Sequence, residues 1–289
     1  MKEWTLRTGP FVTRIRMALP LVEEGLVAMY PGEWLGKSEL FSDFHVAVDK
    51  PAGLRRWLRP QAMFWLDGVS PFKPLPVEQA YAMFEWGLNW CISNHLHAYL
   101  MLHAAVLERE GRALVMPAPP GSGKSTLAAG LMLSGWRLLS DELAIIDCRT
   151  NELIPLARPV SLKNASIDVI RSFSSDAVIG RIVSDTAKGT VTHLRATDES
   201  HRRVGERARP GWIVFPKYVA GAKPRLIPAE KGQSYMTVAE GSFNYGLLGE
   251  AGYHALTALV DASDCYQFEY SKMEDAVNTF EQLAASRRV

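Results

Sequence analysis

The sequence has few cysteines and no excess of either charge. Its three cysteines, Cys91, Cys148 and Cys265, are far apart in a chain of 289 residues, so they suggest neither a disulfide framework nor metal-ligand spacing. The 32 basic and 31 acidic residues give a formal net charge of +1. Because no long basic run is present, nucleic-acid binding has no electrostatic support.

Long apolar runs are also missing. The apolar runs that do occur fall short of the roughly 20 residues that a membrane-spanning helix needs. The stretch Met1–Thr5 lacks the apolar core of a signal peptide. Together with the low cysteine content, these absences predict a reduced, cytoplasmic protein with neither a membrane nor a nucleic-acid partner.

Hydrophobic residues make up 47% of the chain, enough for the core of one large domain or two modest ones. The patterns predict an N-terminal accessory α/β region over residues 1–95 and a second domain over residues 96–289. In the first region, alternation indicates strands and helical spacing indicates helices. The predicted strands are Phe11–Met17, Phe44–Val48 and Gln61–Leu66, and the predicted helices are Leu19–Tyr30 and Val77–Asn94.

Two groups of side chains in the first region have two interpretations each. A cluster of tryptophans forms part of a core more often than an aromatic ligand pocket, so core is favoured. A small basic group is either a solvated face or a contact for a phosphate or an acidic partner. The tryptophans are Trp57, Trp65, Trp86 and Trp90, and the arginines are Arg55, Arg56 and Arg59.

The stretch Ala118–Thr126 organises the second domain. It is Ala-Pro-Pro-Gly-Ser-Gly-Lys-Ser-Thr, between an apolar strand pattern at Ala113–Met116 and a helix pattern capped at Ser134-Gly135. This is the context of a phosphate-binding P-loop, with Ala118 in place of the first glycine. Loop amides cradle phosphate oxygens and the helix dipole adds a positive field. The predicted nucleotide-binding residues are Pro120, Gly121, Ser122, Gly123, Lys124, Ser125 and Thr126.

The P-loop also predicts the cofactors, ATP and Mg²⁺. In such loops the lysine, here Lys124, reaches the terminal phosphates, and the hydroxyl of the next residue, here Ser125, binds Mg²⁺.

A pair of acidic residues follows the predicted P-loop helix. A strand pattern at Trp136–Leu139 ends in Ser140-Asp141-Glu142. Because strand–helix–strand units close right-handed and parallel, we expect this strand beside the P-loop strand, with both acids at the phosphate edge. An acidic pair there binds Mg²⁺ or takes a proton from an attacking hydroxyl. The other interpretation is a solvated turn.

These features resemble the HPr kinase/phosphorylase family. There, a histidine, here His103, opens the strand that leads into a hairpin before the P-loop, and a Gly-x-Arg-Leu-x-x-Asp-Asp segment, here Gly135–Glu142, follows the P-loop helix. The chain is most similar to the HPr kinase-related kinase A subgroup, over nearly its whole length. The resemblance to true HPr kinases spans about His103 to Val169. The segments shared with the subgroup are Arg158–Asn164, Lys188–Leu194, Phe215–Tyr218 and Ser242–Tyr245.

The resemblance implies an α/β fold with a P-loop nucleotide-binding core of the HPr kinase/PEP carboxykinase type and an N-terminal accessory α/β region. It implies that Asp141 deprotonates the acceptor, that Glu142 lies in reach of Mg²⁺, and that His103 lies beside the transferred phosphate. Glu142 stands where the family has aspartate. Of the family's Glu-x-Arg-Gly signature only Arg158 is carried over, as a substrate contact, which argues against phosphorylase activity and against HPr as substrate.

Four further features have two interpretations each. Lys163 either neutralises charge in a transition state or is a surface lysine. His193 either holds substrate or a proton, or is a core or edge histidine. Asn244 either lines the substrate site or caps a helix. The charged segment Asp198–Arg209 is predicted to be a mobile loop, either a lid over an acidic or phosphorylated substrate or a solvated loop.

The combined prediction is a phosphotransferase that moves the γ-phosphate of ATP to a hydroxyl, a serine or threonine of a peptide or small protein. Asp141, His103 and Lys163 are the predicted catalytic residues, and Ser125 and Glu142 the metal ligands. Two alternatives remain, a kinase for a small-metabolite hydroxyl and a non-catalytic, nucleotide-responsive binding module. The acidic pair argues against the module, which has no need of a base. A homo-oligomer is compatible with the sequence.

Overall fold

A six-stranded sheet occupies the N-terminal part of the chain. The computed structural model describes residues 2–36, 41–51 and 60–286. The sheet has the order β3-β1-β2-β4-β5-β6, and its neighbours are antiparallel except for the parallel pair β2 and β4. Its strands are β1 (Lys2–Thr8), β2 (Phe11–Met17), β3 (Leu35–Gly36), β4 (Phe44–Asp49), β5 (Gln61–Leu66) and β6 (Leu75–Pro76).

Two helices cover this sheet, α1 (Pro20–Met29) and α2 (Ala80–His95). The sequence-based strands and helices of this region are therefore confirmed, although the second helix begins with a 3₁₀ turn at Val77–Gln79. Trp90 packs against the core of this region, as favoured above. Trp86 packs on a smaller cluster outside that core. Trp57 and the arginine group, Arg55, Arg56 and Arg59, lie outside the described residues.

The second sheet has eight strands and is covered on both faces. Apolar residues of its hairpin alternate between two buried clusters, as the two-residue period of a strand requires. One face packs on α3 (Lys124–Leu133) and α9 (Met273–Ala285), the other on α6 (Lys231–Glu240), α7 (Tyr245–Leu248) and α8 (Glu250–Asp261). The strands are β7 (Tyr99–Arg109), β8 (Arg112–Pro117), β9 (Arg137–Ser140), β10 (Leu143–Asp147), β11 (Leu153–Ile154), β15 (Arg209–Tyr218), β16 (Arg225–Pro228) and β17 (Asp264–Tyr270).

A smaller sheet of three strands packs beside the P-loop helix α3. Its order is β12-β14-β13, all antiparallel, with helix α4 (Ala165–Phe173) after β12. Apolar residues of β12, β14 and α4 share one buried cluster with α3. The strands are β12 (Val160–Lys163), β13 (Val183–Thr186) and β14 (Gly189–Leu194). The protein is thus an α/β structure with mixed sheets, as predicted.

The predicted hairpin before the P-loop is present as β7 and β8, closed by a turn with positive φ at Glu110 and Gly111. The predicted position of the strand that follows helix α3, which is β9, is wrong. Strand β9 pairs with β7 rather than with the P-loop strand β8, and β10 continues along the same edge of β7. The reason is that the other edge of β8 is taken by β15, which runs parallel to it. Asp141 and Glu142 therefore lie at a break between β9 and β10, not at the end of a strand beside β8.

The charged segment Asp198–Arg209 is not a lid over the P-loop. It begins with the short helix α5 (Asp198–Arg202), in which Ser200 and His201 are buried. It ends where Arg209 pairs with Arg112 at the start of β8, whereas the P-loop follows the end of β8. The segment thus covers the opposite end of the sheet.

The predicted boundary at residues 95 and 96 coincides with the end of α2 at His95 and stays a prediction. The apolar core of the N-terminal sheet extends across it to Met101 of β7 and to Leu143 and Ile145 of β10. No helix among the described residues is long and apolar enough to cross a membrane.

Candidate active site

The glycine-rich loop joins β8 to α3 and has the backbone that its glycines allow. Gly121 and Gly123 have φ values of 85° and 89°, a left-handed conformation that costs glycine little. A Cβ added at Gly121 would meet nothing within 4 Å, so open space lies beside this part of the loop. The loop therefore leaves room for a ligand against its backbone.

Two tyrosines at the ends of neighbouring strands hold the loop in place. The Tyr218 amide donates to the Ser122 carbonyl at 2.9 Å, and the Tyr270 hydroxyl donates to the Gly123 carbonyl at 3.0 Å. A Cβ at Gly123 would come within 2.6 Å of the Tyr270 hydroxyl. Gly123 is thus required both by its backbone conformation and by the close approach of β17. Of the remaining predicted loop residues, Pro120 lies in the turn just before Gly121. Ser125 and Thr126 lie in the first turn of α3.

Lys124 is the first residue of α3 and is buried. Its ammonium group lies 3.3 Å from Nε2 of His103 on β7. Burial lowers the pKa of Lys124, and the nearby carboxylates of Asp141 and Glu142 oppose that change. Burial and the charge of Lys124 lower the pKa of His103 to about 4, so His103 is neutral near pH 7 and its Nε2 accepts a hydrogen bond from the ammonium group. The structure therefore brings together two of the predicted site residues.

The position of His103 follows from strand alternation. It lies on the same face of β7 as Met101, which belongs to the N-terminal core, and Ala105, which belongs to the core under α3. His103 therefore lies where the core of the N-terminal region meets the core under α3. Leu143, the residue after Glu142, pairs directly with His103.

Asp141 is buried beside the lysine and keeps one oxygen without a partner. Its Oδ2 accepts a hydrogen bond from the Ser161 amide at 3.2 Å. Within the described part of the chain, neither its Oδ1 nor the Ser161 hydroxyl has a hydrogen-bond partner. Burial raises the pKa of Asp141, while Lys124 opposes that change. Buried polar atoms without partners are rare and commonly mark an absent ion, water or substrate.

Glu142 is half-buried next to Asp141 and is held by a residue from the N-terminal region. Asn89 on α2 donates a hydrogen bond to Oε2 of Glu142 and accepts one from Nη1 of Arg158. A cavity of about 20 Å³ opens between these residues and Asp141. A cavity of roughly 10–15 Å³ already holds one water, so this one has room for a single small ion or water.

The residues present fit Mg²⁺ together with a phosphate. Among the described residues, no group of three or more His, Cys, Asp and Glu side chains forms a metal site alone. Mg²⁺ is bound in phosphate-transfer sites by one or two carboxylates plus phosphate oxygens and waters. The carboxylate of Glu142 and the hydroxyl of Ser125 would supply that protein share, which leaves the unpartnered oxygen of Asp141 for another partner.

Two further lysines face the acidic pair. Lys163, at the end of β12, was predicted, whereas Lys188, in the turn between β13 and β14, was not among the predicted site residues. Burial lowers the pKa of Lys188, Glu142 raises it, and Lys163 lowers it, so both of these charges act on Lys188. The ammonium group of Lys188 lies 5.0 Å from the centre of the Trp86 ring. The sequence signals for Lys188 were its place at the start of Lys188–Leu194, one of the segments shared with the subgroup, and the turn at Lys188-Gly189.

Arg158 is buried in a hydrogen-bonded network rather than exposed to a substrate. Its Nη2 donates to Oε2 of Glu85 at 2.6 Å and to the Glu85 carbonyl at 2.7 Å. The hydroxyls of Tyr30 and Tyr81 donate to the same carboxylate at 2.9 and 2.6 Å. The network therefore joins the N-terminal region to Asn89 and Glu142, and this geometry gives no support to the predicted substrate contact.

The other two predicted substrate residues have different surroundings. His193 on β14 is buried, pairs with Ser161 across the small sheet, and meets the Tyr81 ring edge-on at 5.3 Å between centroids. Asn244 holds the N-terminal half of β7, because its Oδ1 accepts from the Met101 amide at 2.9 Å and its Nδ2 donates to the Tyr99 carbonyl at 2.8 Å. His193 thus borders the site, while Asn244 fixes the strand that carries His103.

The comparison with known proteins gives only distant structural similarity. No family model and no curated protein matches the chain. Among solved structures, the chain is similar to the Hpr(Ser) kinase/phosphatase from Coxiella burnetii, with 10% identity, a TM-score of 0.27, and coverage of 64% of this chain and 98% of that chain. A similarity this distant assigns neither the family nor the kinase A subgroup that the sequence resembles.

Proposed function

We propose that the protein is a kinase that transfers the γ-phosphate of ATP to a hydroxyl group. The observation that carries this proposal is that Lys124, which follows the glycine loop, and Asp141 are both buried and lie close enough for the charge of each to shift the pKa of the other. A cation aimed at a phosphate and a carboxylate with a free oxygen are the two groups that phosphoryl transfer to an alcohol requires. A binding module would need the first group but not the second.

Each residue has a separate role in the proposed reaction. The acceptor oxygen attacks the γ-phosphorus, the bond to the ADP oxygen breaks, and the acceptor proton passes to Asp141. Because burial raises the pKa of Asp141, its carboxylate is a stronger base than an exposed aspartate. Lys124, Lys163 and Lys188 stabilise the negative charge on the transferred phosphoryl group. When bound, Mg²⁺ would be held by Ser125 and Glu142 and would neutralise phosphate charge.

His103 has a supporting role in this proposal. Its neutral ring accepts a hydrogen bond from Lys124, which fixes the ammonium group where the terminal phosphates would lie. A protonated histidine would instead repel Lys124. The low pKa of His103, about 4, keeps this arrangement in place across the physiological pH range.

The acceptor is proposed to be a serine or threonine of a peptide or small protein. Among the described residues, the cavity next to Asp141 has a volume of about 20 Å³, so this cavity does not itself hold a metabolite. An acceptor presented from outside the protein, as a side chain on a peptide, fits this geometry better.

The test follows ³²P from γ-labelled ATP with Mg²⁺, using the purified full chain and a cell extract separated into protein and small-molecule fractions. We expect label in a protein band with the wild type and none with Lys124→Ala or Asp141→Asn. Lys223→Ala, a change of an exposed lysine, serves as the matched control and should behave as the wild type.

The other outcomes are equally informative. Label only in the small-molecule fraction, beyond released phosphate, would change the acceptor to a metabolite. Nucleotide binding without any transfer would favour the binding module. Normal turnover by Lys124→Ala would overturn the kinase proposal.

A further inference from the structure

A second cavity lies between the N-terminal region and the small sheet. Its volume is about 190 Å³. Helix α1 forms one wall, the start of α2 a second, and strands β13 and β14 a third. The interior residues are Leu21, Met29, Tyr81, Ala82, Val183, Val191 and His193, and the residues at the mouth include Glu24, Ala28, Glu78 and Arg181.

The interior of this cavity is apolar even where its walls carry polar residues. The Tyr81 hydroxyl is already bonded to Glu85, so the tyrosine presents its ring to the cavity. Burial lowers the pKa of His193, so its ring is uncharged near pH 7. Gly25 on α1 allows the Tyr81 ring to pack closely against that helix, because a Cβ at Gly25 would lie 2.2 Å from the ring.

The size of the cavity sets the size of its occupant. An apolar cavity of about 150 Å³ in another protein binds benzene rather than water. A cavity of about 190 Å³ therefore has room for one aromatic ring with a few additional atoms, and none for a helix or an extended peptide.

The charge at the mouth sets the polarity of the rest of the ligand. Glu24 and Glu78 are both exposed at the mouth, opposite a single guanidinium group, that of Arg181. Two carboxylates against one cation favour a ligand whose polar end is basic. The phosphate site is separate from this cavity, and His193 alone lines both.

We propose that this cavity is a binding site for a small molecule with a ring-sized apolar body and a basic tail, the arylalkylamine class. The ring enters between Tyr81 and the valines of β13 and β14, and the ammonium group stays at the mouth near Glu24 and Glu78. The proposal is independent of the kinase activity, because the ligand contacts neither the glycine loop nor Asp141.

The test is isothermal titration of the full chain with tryptamine and with indole-3-acetate, in the absence of nucleotide. We expect one tryptamine to bind with a Kd on the order of 1 mM or tighter, and indole-3-acetate to bind more weakly. Ala28→Trp places a large ring at the mouth from an exposed helix position and should abolish binding. Val27→Trp, at the next exposed position of α1 and outside the cavity lining, should not.

A second variant tests the same cavity in case Ala28→Trp does not fold. Ala82→Leu fills the interior from α2 and should also weaken tryptamine binding at least tenfold, while thermal unfolding shows that each variant is folded. No saturable binding of tryptamine, tighter binding of indole-3-acetate, or unchanged binding in both Ala28→Trp and Ala82→Leu would overturn the proposal.

Discussion

Asn89 on helix α2 donates a hydrogen bond to Glu142, which lies 53 residues further along the chain. The carbonyl end of the same amide accepts from Arg158, so the direction of the amide is set: its NH₂ group faces Glu142. The N-terminal region therefore does more than pack against the second sheet. It supplies the group that orients a carboxylate proposed to bind Mg²⁺.

We expect Asn89→Ala to weaken Mg²⁺-dependent binding of ATP more than binding of ATP alone. Residues that orient metal ligands typically change metal affinity by about 10- to 100-fold, so Kd for ATP with Mg²⁺ should rise by about tenfold. Isothermal titration with and without Mg²⁺ measures both constants. Asn94→Ala, on the same helix but exposed and bonded within it, is the control. An equal loss of affinity with and without Mg²⁺ would show that Asn89 has only a structural role.

Lys188 gives the second prediction. Its ammonium group lies over Trp86 and within the field of Glu142 and Lys163. If it stabilises the transferred phosphoryl group, Lys188→Met should reduce kcat by about 10- to 100-fold with little change in the Kd for ATP, and Lys188→Arg should restore part of the loss. Transfer assays with saturating ATP measure kcat. A loss that appears only in ATP affinity would place Lys188 on the bound nucleotide rather than on the transition state.

The sequence predicted the parts of this site that depend on local signals. The glycine loop, the hairpin before it and the helix after it were predicted because glycines, turns and apolar periods act over a few residues. Gly135, with a φ of 95°, ends the P-loop helix where the pattern placed its cap. Asp141 was identified from the acidic pair after the Trp136–Leu139 strand pattern and His103 through the family resemblance, and both residues interact electrostatically with Lys124.

The parts that failed depend on long-range pairing. The place of β9 was wrong because it depends on β15, a strand more than 60 residues later, which occupies the free edge of β8. Asn89 and Lys188 were missed because each comes from a different element, with no spacing that links it to Glu142. The substrate contact of Arg158 stays a prediction, and its bond to Glu85 was not expected because no local pattern reveals the burial of Glu85 on α2.

The ion pair between Glu85 and Arg158 is the basis of the third prediction. Both side chains are buried, so removing one charge leaves the other without compensation. We expect Arg158→Met to lower the free energy of unfolding by about 3–5 kcal/mol, measured by urea denaturation near pH 7. The double variant Glu85→Gln/Arg158→Met should be more stable than Arg158→Met alone, because it removes the isolated charge and keeps an oxygen for the Tyr30 and Tyr81 hydroxyls. Additive losses in the double variant would contradict this account.

The fourth prediction concerns the pH dependence of stability. His201 is buried, with its ring 4.7 Å from the Trp34 ring. Burial and the charge of Arg195 lower the pKa of His201 from 6.5 to about 4. His103 and His193 have lowered pKa values for the same first reason, burial.

The direction in which stability changes with pH depends on whether the folded or the unfolded state binds more protons. Between pH 6.5 and about 4, a histidine such as His201 is protonated in the unfolded chain but neutral in the folded protein, so stability is complete above pH 6.5 and is lost as pH falls. One such group contributes at most about 1.4 kcal/mol per pH unit within that window. His201→Phe keeps an aromatic ring against Trp34 and removes one titrating group, so its unfolding free energy should fall less steeply than that of the wild type from pH 6.5 to 4.5. Urea denaturation across that range measures both slopes. Parallel slopes would show that His201 is protonated in the folded protein as readily as in the unfolded chain, which the buried contact with Trp34 opposes.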